Sequence, residues 1–229
     1  MKGKKHKYIT VRKSRNKTFF NFISPLGTAV FPKLVKYDEF KGTKAWKVKL
    51  AVPAEEAEEF IGEIKLLLED FYKQKYEEAS LRKRREYDKN WSIKDLWVEE
   101  EDSEGNPTGN ILLSFSKKAF DSKGMPQAAP LLFDSNNKPI AVDDIWGGSK
   151  LRIAGFIYFY ENSSLKEFGP SLKIQAVQVV DLKGPGRSGP SAEAYGFEAI
   201  EGGYTADPVC EEDLCDTEPD VDEDDEVDF

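Results

Sequence analysis

The twelve residues SKLRIAGFIYFY (149–160) limit the fold more than any other stretch of the chain. Leu151, Ile153, Ile157 and Phe159 share one parity, with Gly155 among them. Lys150, Arg152, Phe156, Tyr158 and Tyr160 share the other, with small Ala154. A β-strand sends successive side chains to opposite faces, so the first set reads as a core face. The second set interleaves two cations with three aromatic rings along about 30 Å of strand, at roughly 3.3 Å per residue. Burying that face strands Lys150 and Arg152 at a cost on the order of several kcal/mol each. Facing it to water alone presents an unusually large aromatic patch. Gly155 reads as a bulge or bend of the kind barrels use to curl.

The rest of the ordered chain is mostly strand. FFNFISPLGTAVFPKLVKYDEF is extended, broken by Pro25, Gly27 and Pro32. In AWKVKLAV (45–52), Trp46, Val48, Leu50 and Val52 face one way and Lys47 and Lys49 the other, which predicts a half-buried strand with a basic outer face. Pro53 opens one long helix over about 54–88, whose Ala57, Phe60, Ile61, Ile64, Leu67, Leu68 and Phe71 form a single apolar stripe. Glu55, Glu56, Glu58 and Glu59 suit its positive end, and Arg82, Lys83, Arg84 and Arg85 its negative end, where the last turns project into solvent. Beyond it, ILLSFSKKAF, the 149–160 segment and SLKIQAVQVVDLK (171–183) read as strands, and LLFDSNNKPI as a hairpin turning at Asn136 and Asn137. Five or six strands with one inserted helix fit a closed or partly closed Greek-key barrel of the OB kind. The strand count alone equally permits an SH3-like barrel or an open α+β sheet.

Charge divides the chain. Residues 190–229 carry 16 acidic side chains and no basic one, leaving residues 1–189 with all 33 bases and 26 acids, an excess of seven positive charges. Residues 1–17 hold eight Lys or Arg and no acid, and read as a flexible or partly ordered basic N-terminal arm. The expected organisation is that arm, a domain over 18–185, and a flexible linker with a disordered acidic tail over 186–229. No segment reaches the roughly 18–20 apolar residues of a membrane span, and no apolar stretch of signal-peptide length follows the basic start. Cys210 and Cys215, both in the tail, read as free thiols without the four ligands of a structural zinc site.

Histidine filters the chemistry. His6 alone, inside the arm, offers no base for a Ser-His or Cys-His centre, and neither phosphate-loop nor dinucleotide glycine motif is present. The chain therefore reads as a non-enzyme without a cofactor. A carboxylate-only metal nuclease passes the filter, with Asp134, Asp143 and Asp144 as candidates. Asp143 and Asp144, being neighbours, point opposite ways on a strand and read better as a turn or helix cap.

Single-stranded nucleic acid meets both demands of the 149–160 face: bases stack on the rings while cations track the phosphates. The competing arrangement has the helix cover this face. Candidate binding residues are Lys150, Arg152, Phe156, Tyr158 and Tyr160, joined by Lys47 and Lys49 if their strand is a neighbour, and by Phe31 and Lys33, with Lys36 and Tyr37 weaker. The tail ends in DVDEDDEVDF; Asp224, Asp225, Glu226 and Asp228 followed by Phe229 at the carboxylate make a peptide that a basic, grooved partner can read. The same tail can fold back and compete with nucleic acid. The alternative is an acidic-tailed adaptor or chaperone that does not bind DNA.

GTA at 27–29, KVKLAVP before the helix, GGSKLRIAGFIYFY, FGPSLKIQAVQVVDL and the acidic terminus ending in DF together resemble the single-stranded DNA-binding proteins of T-seven-like bacteriophages. The resemblance spans about 24–183 with the helix in the same place. It implies an OB-fold that binds single-stranded DNA without strong sequence preference in phage replication and recombination, within the cytoplasm of a bacterial host. It further implies strand annealing, homodimerisation, and a tail whose terminal aromatic, here Phe229, contacts a replicative polymerase or helicase and competes with DNA. Lys150 and Tyr160 fall on basic and aromatic positions of the family's binding strand. Gly155, Phe156 and the longer basic arm depart from its pattern.

Overall fold

The computed structural model describes residues 7–14, 17–95 and 97–184. Among them, ten strands and two helices follow in the order β1 (Ile9–Ser14), β2 (Lys17–Ile23), β3 (Gly27–Phe40), β4 (Thr43–Pro53), α1 (Ala54–Glu78), α2 (Leu81–Asn90), β5 (Ser92–Ile93), β6 (Trp97–Glu101), β7 (Pro107–Lys118), β8 (Leu131–Phe133), β9 (Lys150–Asn162) and β10 (Glu167–Asp181). Five of the strands close on themselves: β9 pairs β3, β3 pairs β4, β4 pairs β7, β7 runs parallel to β10, and β10 returns to β9. This is the small Greek-key barrel of the OB-fold. The expected five or six strands are this barrel; the additional ones decorate it.

The barrel closes around the apolar parity of each strand. Val48, Leu50 and Val52 of β4, Leu113 and Phe115 of β7, Leu151, Ile153 and Ile157 of β9, and Leu172 and Ile174 of β10 are buried together. Apart from buried Ala51 between Leu50 and Val52, their neighbours in sequence are more exposed, which is the period-two signal in physical form. Gly155 sits where two strands come closest. A Cβ there would lie 1.8 Å from the Lys173 carbonyl oxygen and 3.2 Å from the ring of Phe22. The β9–β10 register shifts opposite it, between Ile174 and Ala176, so the irregularity anticipated at Gly155 is carried as a bulge by the partner strand.

Helix α1 lays the expected stripe on the barrel: Ala57, Phe60, Ile61, Ile64 and Leu68 are buried. Phe60 meets Phe22 edge-on and Phe71 stacks on Phe159, both of which are inward residues. The helix thus covers the core parity and leaves the aromatic face of β9 open.

Three expectations change. The single helix over 54–88 is two helices, because Ala79 and Ser80 adopt extended dihedrals and Ser80 caps α2 by accepting from the Lys83 amide. The second helix does not project into solvent. It folds back so that Tyr87, 3% exposed, packs edge-on against Trp91 and Phe168. Arg84 then donates to the carbonyls of Tyr76 and Glu77, complementing the end of α1 from the next helix. The basic arm, next, enters the sheet at Ile9: β1 pairs antiparallel with β2, and β2 pairs with β9. Finally, the hairpin expected at 131–140 is present but short: Phe133 bridges Pro139 antiparallel across a turn over Asp134–Lys138 that contains Asn136 and Asn137, and its first arm, β8, lies beside β10.

Candidate nucleic-acid interface

The barrel's outer face is read from its pairings, because directly paired residues share a side of the sheet. Phe156 of β9 pairs Lys173 of β10, Lys173 pairs Ser116 of β7, Ser116 pairs Lys47 of β4, and Lys47 pairs Lys33 of β3. One transverse row therefore runs from an aromatic ring across three lysines. A second row lies beside it, with Tyr158 opposite Ser171 and Lys49 opposite Ser114.

Two concavities occupy this face. A cleft of about 740 Å³ is lined by Phe31, Lys47, Lys49, Trp97, Ser114, Ser116, Tyr160 and Ser171, among others. A hollow of about 450 Å³ is lined by Lys117, Lys118, Phe156, Tyr158 and Lys173 with Gln127 and Gln175. Ser171 and Lys173, two residues apart on β10, border one concavity each. The strip thus offers hydroxyls and ammonium groups at its centre and aromatic rings at both sides.

Lys173 is half-buried, and among the described residues its ammonium has no carboxylate partner. Burial, reinforced by the neighbouring positive charge of Lys118, holds its pKa below the ordinary lysine value. A phosphate placed against it relieves both effects. Lys47 is different: its ammonium pairs with Asp38 on β3, whose carboxyl is held below its ordinary value mainly by that hydrogen bond.

Phe31 is 80% exposed and has a φ of +49°. It occupies a break in the β3–β4 register between Val30 and Lys33, with Pro32 buried next to it. A bulky residue in left-handed backbone is strained, and such strain persists where surrounding structure imposes it and a site uses the result. Here it stands a ring out over the cleft. Phe156 and Tyr158, at 36% and 57% exposure, give the other side its two open rings.

The predicted residues separate accordingly. Phe31, Lys33, Lys47, Lys49, Phe156 and Tyr158 lie together on this face. Tyr160 lines the cleft but is half-buried, its hydroxyl donating to Glu167 and its ring lying against Gly169, where a Cβ would come within 2.6 Å. Lys150 and Arg152 face outward as the parity requires but lie at the far end of β9. Lys150 donates to the Thr28 hydroxyl at 2.7 Å, and Arg152 borders a separate hollow with Phe133 and Gln178. The β4 strand is not a neighbour of β9. It is separated by β3 on one side and by β7 and β10 on the other, so along the rows Lys47 reaches Phe156 across Ser116 and Lys173, and Lys49 reaches Tyr158 across Ser114 and Ser171. Lys173, Lys117, Lys118, Ser171 and Trp97 were not anticipated. The alternation in SLKIQ (171–175) marks Lys173 as outward, but nothing local shows which strand lies next to it.

Two of the three carboxylates considered for a metal take structural roles. Asp134 accepts from the Asn136 and Lys138 amides and Asp144 from the Ile145 amide, the turn geometry that their sequence context favours. The tail residues Asp224, Asp225, Glu226, Asp228 and Phe229 lie outside the described residues.

No protein-family model and no curated protein matches this sequence. Solved structures do. The crystal structure of a single-stranded DNA-binding protein encoded by bacteriophage T7 is similar with a TM-score of 0.55 at 24% identity, over 82% of this chain and 99% of that one. A single-stranded DNA-binding protein from bacteriophage Enc34, solved in complex with single-stranded DNA, is similar at 14% identity with a TM-score of 0.47, over 80% and 99%. The structural resemblance is therefore to phage single-stranded DNA-binding proteins, as the sequence motifs anticipated, and the fold is the OB-fold.

Proposed function

We propose, from the OB-fold shared with a phage single-stranded DNA-binding protein, that this chain binds single-stranded DNA without sequence preference and catalyses no reaction. The observation that carries the proposal is the transverse row of Phe156, Lys173, Ser116, Lys47 and Lys33, with open rings at Tyr158 and Phe31. Bases stack on the rings whatever their identity, each worth about 1–3 kcal/mol. Lysines neutralise phosphates and release counterions, so affinity falls steeply with salt. A duplex keeps its bases stacked inside and offers the rings nothing, which makes the face selective for single strands.

The biological setting is phage DNA replication and recombination in the cytoplasm of a bacterial host. There the acidic tail ending in Phe229 recruits a replicative polymerase or helicase, competes with DNA for the basic face and supports a homodimer. The sixteen acids of residues 190–229 and the excess positive charge of the remainder support this division of labour.

An anisotropy titration of oligo-dT and a matched duplex, at two salt concentrations, tests the proposal. It is run with the full chain and with a truncation after residue 190. Tight, salt-sensitive binding to the single strand, with a gain on truncation, is the expected result. Absence of binding by both proteins overturns the proposal.

A further inference from the structure

We infer that the β1–β2 hairpin is a second single-strand-binding element, placed so that a long strand leaves the barrel face and continues over Phe19 and Arg12. The inference rests on the function proposed above and extends its site. The register places these residues. Asn21 of β2 pairs Phe156, the aromatic end of the transverse row, so the outer face of β2 continues that of β9. Phe19 shares that parity with Asn21, and Arg12 of β1 pairs directly with Phe19, as Thr10 does with Asn21. The opposite parity of the hairpin, Ile9 and Phe22, is buried in the core. A cation and a ring thus stand side by side on the outer face, next to the two open rings of β9.

The chemistry of the hairpin favours a polyanion with exposed bases. Phe19 is 46% exposed, a large ring left in water on a hairpin whose other side is anchored in the core at Ile9 and Phe22. The first acidic residue of the chain is Asp38, so no carboxylate from the hairpin itself can neutralise Arg12. Among the described residues Arg12 forms no salt bridge. The element is also held in place before any ligand arrives. The amides of Tyr8 and Ile9 donate to Glu63 of α1 at 3.2 and 3.1 Å, and the Tyr8 ring packs edge-on against Phe60.

Distance gives the inference its test. Along the paired row from Lys47 of β4 through β7, β10, β9 and β2 to β1 there are five inter-strand steps of about 4.8 Å, or about 24 Å along the surface. A short oligonucleotide fills the central cleft without reaching Arg12, whereas a long one covers both. The full chain and its Arg12→Ser/Phe19→Ser variant are titrated with dT oligomers of about 4 and about 16 nucleotides, the limits of OB-fold site sizes. Both substitutions sit on exposed positions, and melting temperature checks that the fold is kept. The variant is expected to bind the short oligomer like the parent, to lose roughly fivefold or more on the long one, and to show a salt slope shallower by about one. Arg12→Lys/Phe19→Tyr is expected to restore the long-oligomer affinity.

Equal loss on both lengths, or no loss on the long one, overturns the inference while leaving the central face intact. A parent that binds neither oligomer removes the proposed function itself, a distinct result. Sedimentation in the same buffers covers the remaining case. If the parent self-associates and the variant does not, with oligomer affinity unchanged, the hairpin face is a contact between copies of the chain and not a DNA site.

Discussion

Gly155 on β9 and Lys173 on β10 approach so closely that a Cβ on the first would lie 1.8 Å from the carbonyl oxygen of the second. The neighbouring pair in the ladder, Phe156 with Lys173, holds the lysine side chain on the open face. One glycine thus bears on both barrel closure and the position of a half-buried cation on the binding surface. Gly155→Ala is expected to cost at least about 1–3 kcal/mol, because the obstructing atom is backbone and cannot turn aside. Thermal denaturation reads the loss; an unchanged melting temperature refutes the close approach.

Lys173 makes affinity depend on pH. In the free protein its pKa is lowered by burial and by Lys118. A bound phosphate returns it toward the ordinary value, so binding takes up a proton wherever pH lies between the two. Affinity is therefore highest below the lowered pKa and falls as pH rises through it. Folding stability runs the other way, rising with pH over the same window because the unfolded chain holds the proton more tightly. Titrations of oligo-dT across the alkaline range are expected to show the decline, and Lys173→Arg, which stays protonated, to flatten it.

Phe31 exchanges stability for binding. Its left-handed backbone costs on the order of 1–3 kcal/mol, and glycine adopts that conformation freely. Phe31→Gly is expected to raise the melting temperature, or leave it unchanged, while weakening oligo-dT by about 1–3 kcal/mol for the lost stacking ring. A variant that loses stability and keeps affinity contradicts both halves of the argument.

Asp38 restrains Lys47. Lys47 is exposed and Asp38 half-buried, and the carboxylate competes directly with any phosphate that approaches the cleft. Asp38→Asn is expected to tighten single-strand binding a few fold and to steepen the salt dependence by up to about one counterion. Isothermal titration at two salt concentrations measures both; weaker binding by the variant would place Asp38 among the contacts and not against them.

Tyr158→Ala and Phe156→Ala separate stacking from packing. Both rings are open on the outer face. Each substitution is expected to weaken oligo-dT by about 1–3 kcal/mol with little change in melting temperature. A large thermal loss from either would show that its ring supports the core.

What each strand shows to each side is legible in its residue alternation. The alternation in 149–160 put Phe156 and Tyr158 on one face and Leu151, Ile153 and Ile157 on the other, because side chains along a strand have a period of two whatever surrounds them. The stripe of α1 was equally legible, since an apolar face at helical spacing has to be buried somewhere. Its end was not, because the turn at Ala79 and Ser80 is rewarded only when Tyr87 finds Phe168, a residue 81 positions later in the chain. Tertiary structure alone decided which strands are neighbours. Pairing brings Lys173, Ser116 and Lys47 into one row, turns Arg12 and Phe19 toward Phe156, and leaves Lys150 and Arg152 at the far end. Those adjacencies come from hydrogen bonds between distant segments and from closure of the barrel, and no local period encodes a partner.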